Sequence, residues 1–214
     1  LPAGLQSAVF AISNIVIQSA INSLGKVVMA ASSAAYNIEV FAYDVMNSYN
    51  QACTTFVGQN YGAGQIRRCR KTLYLCLIED AVSLGATVAL VLLTGHFLLS
   101  IFNNDPQVIA LGYDRLKIVF FAYIFSLLYE VMSGYLRGFG ISLVPAALTA
   151  LGVCGIRIAW IHFVFPQHPT LQTIMTSYPV SLSATALMIF IALLCYRPAR
   201  KHAAMEREPA PAGN

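Results

Sequence analysis

The sequence predicts an all-α integral membrane protein with six transmembrane helices, and three observations support this prediction. Hydrophobic residues make up 57% of the 214 residues and charged residues only 10%, whereas a typical soluble domain has about 25% charged residues. The apolar residues form continuous runs rather than the alternating pattern of a β-barrel. Helices satisfy their own backbone hydrogen bonds in lipid. The composition therefore excludes an ordinary soluble enzyme, a disordered chain and a nucleic-acid-binding module.

The six apolar runs each have the length of about 20 residues that a membrane-spanning helix requires. The first and the last contain no charged residue. The second contains Glu39 and Asp44, the fourth contains Glu130 and the fifth contains Arg157. We predict spans at about 1–24, 34–57, 73–100, 117–136, 141–165 and 170–196, followed by a polar tail at 197–214.

The basic residues between the spans predict the orientation of the chain. Nine of them lie in one set of alternate loops and the tail, and three lie in the other set. Cytoplasmic loops of membrane proteins carry the excess of Lys and Arg, so we expect the tail to be cytoplasmic. The first set consists of Arg67, Arg68, Arg70, Lys71, Arg137, Arg197, Arg200, Lys201 and Arg207, and the second consists of Lys26, Arg115 and Lys117.

A polar stripe runs along the first span. Asn14, Gln18 and Asn22 are spaced four residues apart and share one helical face, with Ser7 close to it. Such a stripe either lines a watery substrate cavity or forms hydrogen bonds between helices. Both interpretations place the stripe on the inner side of the helix bundle.

Charged residues inside a span are costly and are candidates for function. From the helical rise of about 1.5 Å per residue, Glu39, Asp44 and Arg157 lie in the outer half of the membrane. Glu130 lies slightly to the inner side of the middle. Because Arg157 lies at a similar membrane depth to Glu39 and Asp44, we favour one of these two as its partner. Glu130 is the third possible partner.

Two interpretations compete for these charges. In the first, Arg157 neutralises a carboxylate and the pair holds two helices in register. In the second, an unpaired carboxylate at Glu130, Glu39 or Asp44 binds a proton or Na⁺ and couples it to transport, since a carboxylate buried in low dielectric binds a proton more readily. Glu79 and Asp80 lie nearer the cytoplasmic end, where we expect them to reach the lipid headgroups.

Several segments of the chain together resemble one known family. Residues 57–64 are glycine-rich and are followed by a basic run. They resemble the end of the eighth helix in the multidrug and toxic compound extrusion (MATE) family. Residues 99–108 resemble the segment after its ninth helix. Residues 135–140, Tyr-Leu-Arg-Gly-Phe-Gly, with Pro145 following, resemble the turn after its tenth helix, and Pro2 with the stretch ending at Gly25 fits its seventh helix.

The resemblance covers nearly the whole chain and implies the C-terminal six-helix lobe of a two-lobed MATE-type transporter, similar to the bacterial NorM and DinF members. It implies efflux of cationic, amphipathic, drug-like molecules by antiport against H⁺ or Na⁺ in the bacterial cytoplasmic membrane. Access to the cavity would alternate between the two sides. The expected partners are membrane lipid, the small-molecule substrate and the missing N-terminal six-helix lobe. We expect no nucleic acid, no enzymatic activity and no cofactor besides the coupling ion.

The chain departs from the family pattern in its acidic residues. Many members carry an acid in the seventh helix, whereas the first span here has none. Many carry another in the tenth helix, at the position that corresponds to Ser126 here. Glu130 lies four residues later on the same helical face. We therefore include Ser126 among the substrate-cavity candidates, with Asn14, Gln18 and Asn22, and Glu130 among the ion-coupling candidates.

The main alternative is a lipid-linked oligosaccharide flippase of the same superfamily. It would bind an anionic headgroup and would need several basic residues in the cavity, where only Arg157 is expected. We further expect the chain to be a fragment of a longer protein, because it starts at Leu1 within an apolar run. A natural half-transporter that pairs with a second half is the other possibility.

Overall fold

The computed structural model describes residues 2–198, with side chains described from residue 8 onward, and it shows six helices in chain order. The all-α fold predicted from the sequence is confirmed within these residues. The predicted tail lies outside the described residues from position 199 onward, and so does the side chain of Ser7. The helices are α1 Pro2–Ser23, α2 Lys26–Gly62, α3 Ile66–Phe102, α4 Pro106–Gly138, α5 Leu143–Gln167 and α6 Leu171–Tyr196.

Helix α4 lies at the centre of the bundle and packs against α2, α3 and α6. Its buried side chains include Leu116, Phe120 and Leu136, which belong to one continuous apolar core. Helix α1 packs mainly on α5, with fewer contacts to α2. The central position of α4 means that any charged group on its inner faces is enclosed by protein.

Four helices, α3 to α6, are long and apolar enough to cross a membrane. The apolar part of α1 that the structure describes, Ala8–Ser23, is shorter. Helix α2 has 37 residues and is continuous, but charged and polar side chains interrupt its apolar sequence.

The helices extend beyond the predicted apolar runs because they continue into polar sequence. The largest difference is in α4, which begins at Pro106 rather than near Lys117. Its N-terminus is capped by Asp105, whose side chain accepts a hydrogen bond of 2.8 Å from the backbone N–H of Gln107. The added turns place Arg115 inside a helix rather than in a loop.

The two glycine-containing motifs predict helix ends, and each one contains a tight turn in the structure. Helix α2 ends at Gly62 and the chain turns at Gly64, whose φ is +70°. Helix α4 ends at Gly138 and turns at Gly140, whose φ is +82°. A left-handed backbone of this kind favours glycine, so both motifs act as turns between helices.

Helix α5 contains one wider turn. Residues Ala150–Gly155 form a π-helical segment between two α-helical segments. Turns of this type are frequent at functional sites. This one lies immediately before Arg157, the basic residue of the predicted fifth span.

Candidate functional site

The first buried charged group is an ion pair between Glu39 of α2 and Arg115 of α4. Arg115 Nε donates to Glu39 Oε1 at 2.6 Å, and Arg115 Nη2 donates to Glu39 Oε2 at 2.8 Å. Both residues are 3% exposed. This two-point geometry matches a guanidinium to a carboxylate and neutralises both charges. Glu39 is thus held in place by an ion pair that joins α2 to α4.

The predicted pairing of Arg157 with a carboxylate is wrong for the residues that the structure describes. Arg157 Nε donates to Ser181 Oγ at 3.0 Å, and its guanidinium lies 4.0 Å from the ring centroid of Tyr178. Both partners belong to α6. Arg115 precedes the apolar run of its helix, so hydropathy places it in a loop and leaves Arg157 as the cation nearest in depth to Glu39.

The second buried charged group is Glu130 of α4, which is 6% exposed. Asn50 Nδ2 of α2 donates to Glu130 Oε2 at 2.5 Å, and the Tyr43 hydroxyl donates to Glu130 Oε1 at 3.4 Å. Arg137 lies about two turns further along α4. The carboxylate oxygens of Glu130 are thus held by neutral hydrogen-bond donors.

The other acidic candidate, Asp44, is exposed on α2 next to Tyr43. Its exposed environment therefore differs from that of the two buried carboxylates, Glu39 and Glu130. The predicted depth grouped Asp44 with Glu39, but a separation of five positions along the helix places the two side chains on different faces.

The polar stripe on α1 lies on the open side of the bundle. Asn14, Gln18 and Asn22 are exposed, and Gln18 Nε2 donates to Asn22 Oδ1 at 2.8 Å. Ser126 of α4 is only 2% exposed. The stripe is thus open to the surroundings of this lobe, while Ser126 lies in the wall behind it.

Two adjacent cavities open on the same side of the bundle. A cavity of about 190 Å³ is lined by Asn14, Ser126, Glu39 and Arg157, and a cavity of about 450 Å³ is lined by Asn14, Gln18 and Arg115. The structure thus brings together three of the four cavity candidates, with Asn14 common to both cavities. Aromatic side chains dominate the smaller cavity: Phe10, Tyr36, Tyr43, Tyr123, Tyr129 and Tyr178.

Tyr43 connects the smaller cavity to Glu130. Its side chain lines the cavity, and its hydroxyl donates to the carboxylate of Glu130. Glu130 itself lies behind this wall. A molecule that moves Tyr43 therefore changes the hydrogen bonding of a buried carboxylate.

Sequence reasoning missed Arg115, Asn50, Tyr43 and the buried face of Asp80. Asp80 is fully buried, whereas its neighbour Glu79 is exposed, which corrects the expectation that both reach the lipid headgroups. A signal was available, because Cys76, Asp80 and Leu84 are spaced four residues apart on one face of α3. All three are buried.

The sequence matches the family model MatE over residues 2–161. The chain is 29% identical over 233 aligned positions to the multidrug resistance protein PmpM of Pseudomonas aeruginosa, and the match covers 100% of this chain and 46% of PmpM. It is 29% identical over 143 positions to the probable multidrug resistance protein NorM of Chromobacterium violaceum, covering 64% of this chain and 30% of NorM. The chain spans less than half the length of the curated relatives it matches.

The fold is similar to that of a solved structure, the outward-facing conformation of a multidrug resistance MATE family transporter. The TM-score is 0.80 at 15% identity, and the match covers 97% of this chain and 46% of the other. At this identity the likeness shows a shared fold. The described six-helix bundle therefore corresponds to nearly half of that transporter.

Proposed function

The chain belongs to the MatE family, and from this premise we propose that it is one six-helix lobe of a secondary active transporter. The transporter exports cationic, amphipathic small molecules by antiport against H⁺ or Na⁺. Its cavity alternates in access between the two sides of the membrane. The relatives named as multidrug resistance proteins support this assignment.

The observation that carries the proposal is the environment of Glu130. It is a buried carboxylate on the central helix, and its oxygens accept hydrogen bonds from Asn50 and Tyr43. Neutral donors of this kind can hold a carboxylate in either protonation state without breaking an ion pair. Glu130 is therefore our first candidate for the coupling residue.

Glu39 and Asp44 are weaker candidates for coupling. The Glu39 carboxylate is bound at both oxygens by Arg115, so a coupling ion would have to displace a guanidinium. Asp44 is exposed. We propose that the Glu39–Arg115 pair fixes the register of α2 and α4 and so positions the walls of the cavities.

The lining of the smaller cavity supports the proposed class of substrate. Aromatic rings attract cations through their faces, and they also offer apolar contact area to the rest of the molecule. The Arg157 guanidinium lies over the Tyr178 ring, so one ring of this cavity already makes a cation–π contact. A cationic, amphipathic substrate can bind in the same way to Tyr36, Tyr43 and Tyr123.

The open side of the two cavities supports a missing second lobe. Asn14, Gln18 and Asn22 are exposed there, and polar side chains facing lipid are unfavourable. We propose that the N-terminal six-helix lobe covers this side and completes the substrate cavity. The whole protein would then lie in the bacterial cytoplasmic membrane with the C-terminus of this lobe in the cytoplasm, in contact with lipid on its outer faces.

A flippase for a lipid-linked oligosaccharide is the alternative. Two basic residues line the cavities, Arg157 in the smaller and Arg115 in the larger, which corrects the expectation that only Arg157 is present there. However, Glu39 neutralises Arg115. Among the residues that the structure describes, Arg157 is then the one basic residue of the two cavity linings that is not paired with a carboxylate, whereas an anionic headgroup would need several. Drug efflux therefore stays the first assignment.

The test is dye efflux from proteoliposomes that contain the complete protein carrying this chain. We expect efflux of a cationic dye to depend on an imposed H⁺ or Na⁺ gradient. Glu130→Gln should reduce gradient-driven efflux to the level of empty vesicles, because glutamine keeps the shape but cannot exchange a proton. Glu79→Gln, which changes an exposed acid on α3, is the matched control and should transport normally.

Two outcomes would overturn parts of the proposal. Normal gradient-driven efflux by Glu130→Gln would remove Glu130 from coupling. Movement of an anionic lipid headgroup, with no efflux of any cationic dye, would favour the flippase. Proper membrane insertion of each variant is checked by its yield and elution profile after purification.

A further inference from the structure

Asp80 of α3 is a buried carboxylate with an unusual environment. It is 0% exposed, and neither of its oxygens accepts a hydrogen bond from any residue within 2–198. An ionised carboxylate removed from water without a partner is strongly disfavoured, and such a group takes up a proton instead. The exposed neighbour Glu79 faces away from this site.

The packing of α3 against α2 places Asp80 beside the Glu130 site. These antiparallel helices are joined by a 2.7 Å hydrogen bond between Tyr49 and Ser83, and by contact between the thiols of Cys53 and Cys76. Asp80 lies between the two links on α3, and Asn50 lies between them on α2. Asp80 is therefore level with Asn50.

Asn50 in turn donates to Glu130, so the Asn50 side chain connects the level of Asp80 to the Glu130 carboxylate. Two carboxylates that interact in a protein interior resist simultaneous ionisation, so one of them holds a proton. Their surroundings decide which one. Asn50 and Tyr43 donate to Glu130, whereas no described residue donates to Asp80. The negative charge is thus favoured on Glu130 and the proton on Asp80.

Two buried oxygen atoms on α2 and α4 near Glu130 also lack a hydrogen-bond donor within residues 2–198. Asn50 Oδ1 and Ser133 Oγ are buried, with residue exposures of 3% and 1%, and neither has a hydrogen-bond partner among the described residues. The Asn50 side chain is directed at Glu130 through its hydrogen bond, and Ser133 follows Glu130 by one turn on α4. A protonated carboxyl supplies an O–H donor for such oxygens, which an ionised carboxylate lacks.

We propose that Asp80 and Glu130 form a proton-sharing carboxylate pair at the interface of α2, α3 and α4, outside the substrate cavity. Asp80 holds the proton and Glu130 holds the charge. The inference deepens the proposed function, on which it rests for its role in coupling, because it adds a second proton-binding residue beside Glu130. The titratable and charged groups around the pair are Tyr43, Tyr49 and Cys53 on α2, Cys76 on α3, and Tyr129 and Arg137 on α4.

Infrared spectroscopy of the complete protein, in detergent and without substrate, tests this pair. The carbonyl stretch of a protonated carboxyl is distinct from the bands of a carboxylate, and it shifts on exchange into D₂O. We expect Asp80→Asn to remove one protonated carboxyl per chain at neutral pH. Glu79→Gln should leave that band unchanged.

A second measurement does not depend on the folding of any variant. Wild-type protein labelled with ¹³C in the aspartate side-chain carboxyl should shift the band, whereas glutamate labelling should not. A band that moves only with glutamate labelling, or that stays in Asp80→Asn, would overturn the assignment. So would loss of the band in NaCl compared with choline chloride, because this would indicate that Na⁺ occupies the site.

The same preparations separate this inference from the proposed function. If the Glu130→Gln variant exports dye normally and the wild type shows the aspartate band, Glu130 is not the coupling residue but Asp80 still holds a proton. If the wild type lacks the band and the Glu130→Gln variant exports no dye, Glu130 is the coupling residue but the proton-sharing pair is wrong.

Discussion

The two buried acidic sites between α2 and α4 are built in opposite ways. In the outer site, α2 supplies the acid Glu39 and α4 supplies the base Arg115. In the inner site, α4 supplies the acid Glu130 and α2 supplies the amide of Asn50. The first site is an ion pair whose two charges cancel, whereas the second holds a carboxylate with neutral donors. Only the second can gain or lose a proton without leaving an opposite charge unpaired in the protein interior.

The same substitution at both sites should therefore have unequal effects on stability. Removing one partner of a buried ion pair costs about 3–5 kcal/mol, because the other charge stays buried and unpaired. We expect Glu39→Gln to lower the free energy of unfolding by about this amount. Glu130→Gln should cost no more than about 1 kcal/mol, the typical net value of one neutral hydrogen bond, since glutamine can still accept from Asn50. Unfolding of the complete protein in mixed micelles, followed by circular dichroism, measures both.

A double variant serves as the control for the outer site. Replacing both Glu39 and Arg115 by Met removes the pair without leaving a charge, and apolar replacements of this kind are often neutral in stability. We expect Glu39→Met with Arg115→Met to recover most of the loss seen in Glu39→Gln. Equal losses for Glu39→Gln and Glu130→Gln would contradict the contrast between the two sites.

The second prediction tests whether the Asn50 amide supports a charge. Hydrogen bonds to charged groups contribute about 1.5–3 kcal/mol, so Asn50→Ala should lower the free energy of unfolding by that amount. Asn60→Ala is the matched control on the same helix, because Asn60 Nδ2 donates only to the backbone carbonyl of Phe56. If the two variants are equally stable, the Asn50–Glu130 bond has no special weight.

The third prediction concerns the close approach of α2 and α4 beside the inner site. A Cβ added at Gly134 would lie 2.5 Å from the backbone oxygen of Asn50, which can move only with its helix. We expect Gly134→Ala to cost about 1–3 kcal/mol, as overpacking does. A Cβ at Gly58 meets only the Gly138 carbonyl oxygen at 3.6 Å, so Gly58→Ala should be neutral or slightly stabilising. A thermal unfolding series compares the two, and an unaffected Gly134→Ala would show that the helices are more loosely packed.

The sequence was sufficient to predict the helices, the two turns and the buried position of Glu130, because continuous apolar runs and glycine motifs are local signals. It was not sufficient to predict the partners of the charges. Arg115 lies before the apolar run of its helix, so hydropathy placed it in a loop, although helical structure begins three turns earlier. Asp80 and Glu79 are adjacent in sequence, and only the orientation of α3 against its neighbours decides which of them is buried.

The last prediction, Tyr43→Phe, has a small expected effect on stability and tests whether the wall of the smaller cavity is connected to the inner site. The hydroxyl of Tyr43 lies 3.4 Å from Glu130 Oε1, at the long end of the hydrogen-bond range, so its loss should cost no more than about 0.5–1.5 kcal/mol. The ring stays in the wall of the cavity, where we propose that the substrate binds.

We therefore expect Tyr43→Phe to bind a cationic dye as the wild type does and to export it more slowly under the same ion gradient. Tyr36→Phe is the control, since Tyr36 lines the same cavity and has no hydrogen bond to Glu130. Dye binding followed by fluorescence anisotropy, with efflux from proteoliposomes, separates the two steps. An equal loss of binding in both variants would mean that the tyrosine hydroxyls contact substrate, whereas slower efflux in Tyr43→Phe alone would connect the cavity wall to the Glu130 carboxylate through a single hydrogen bond.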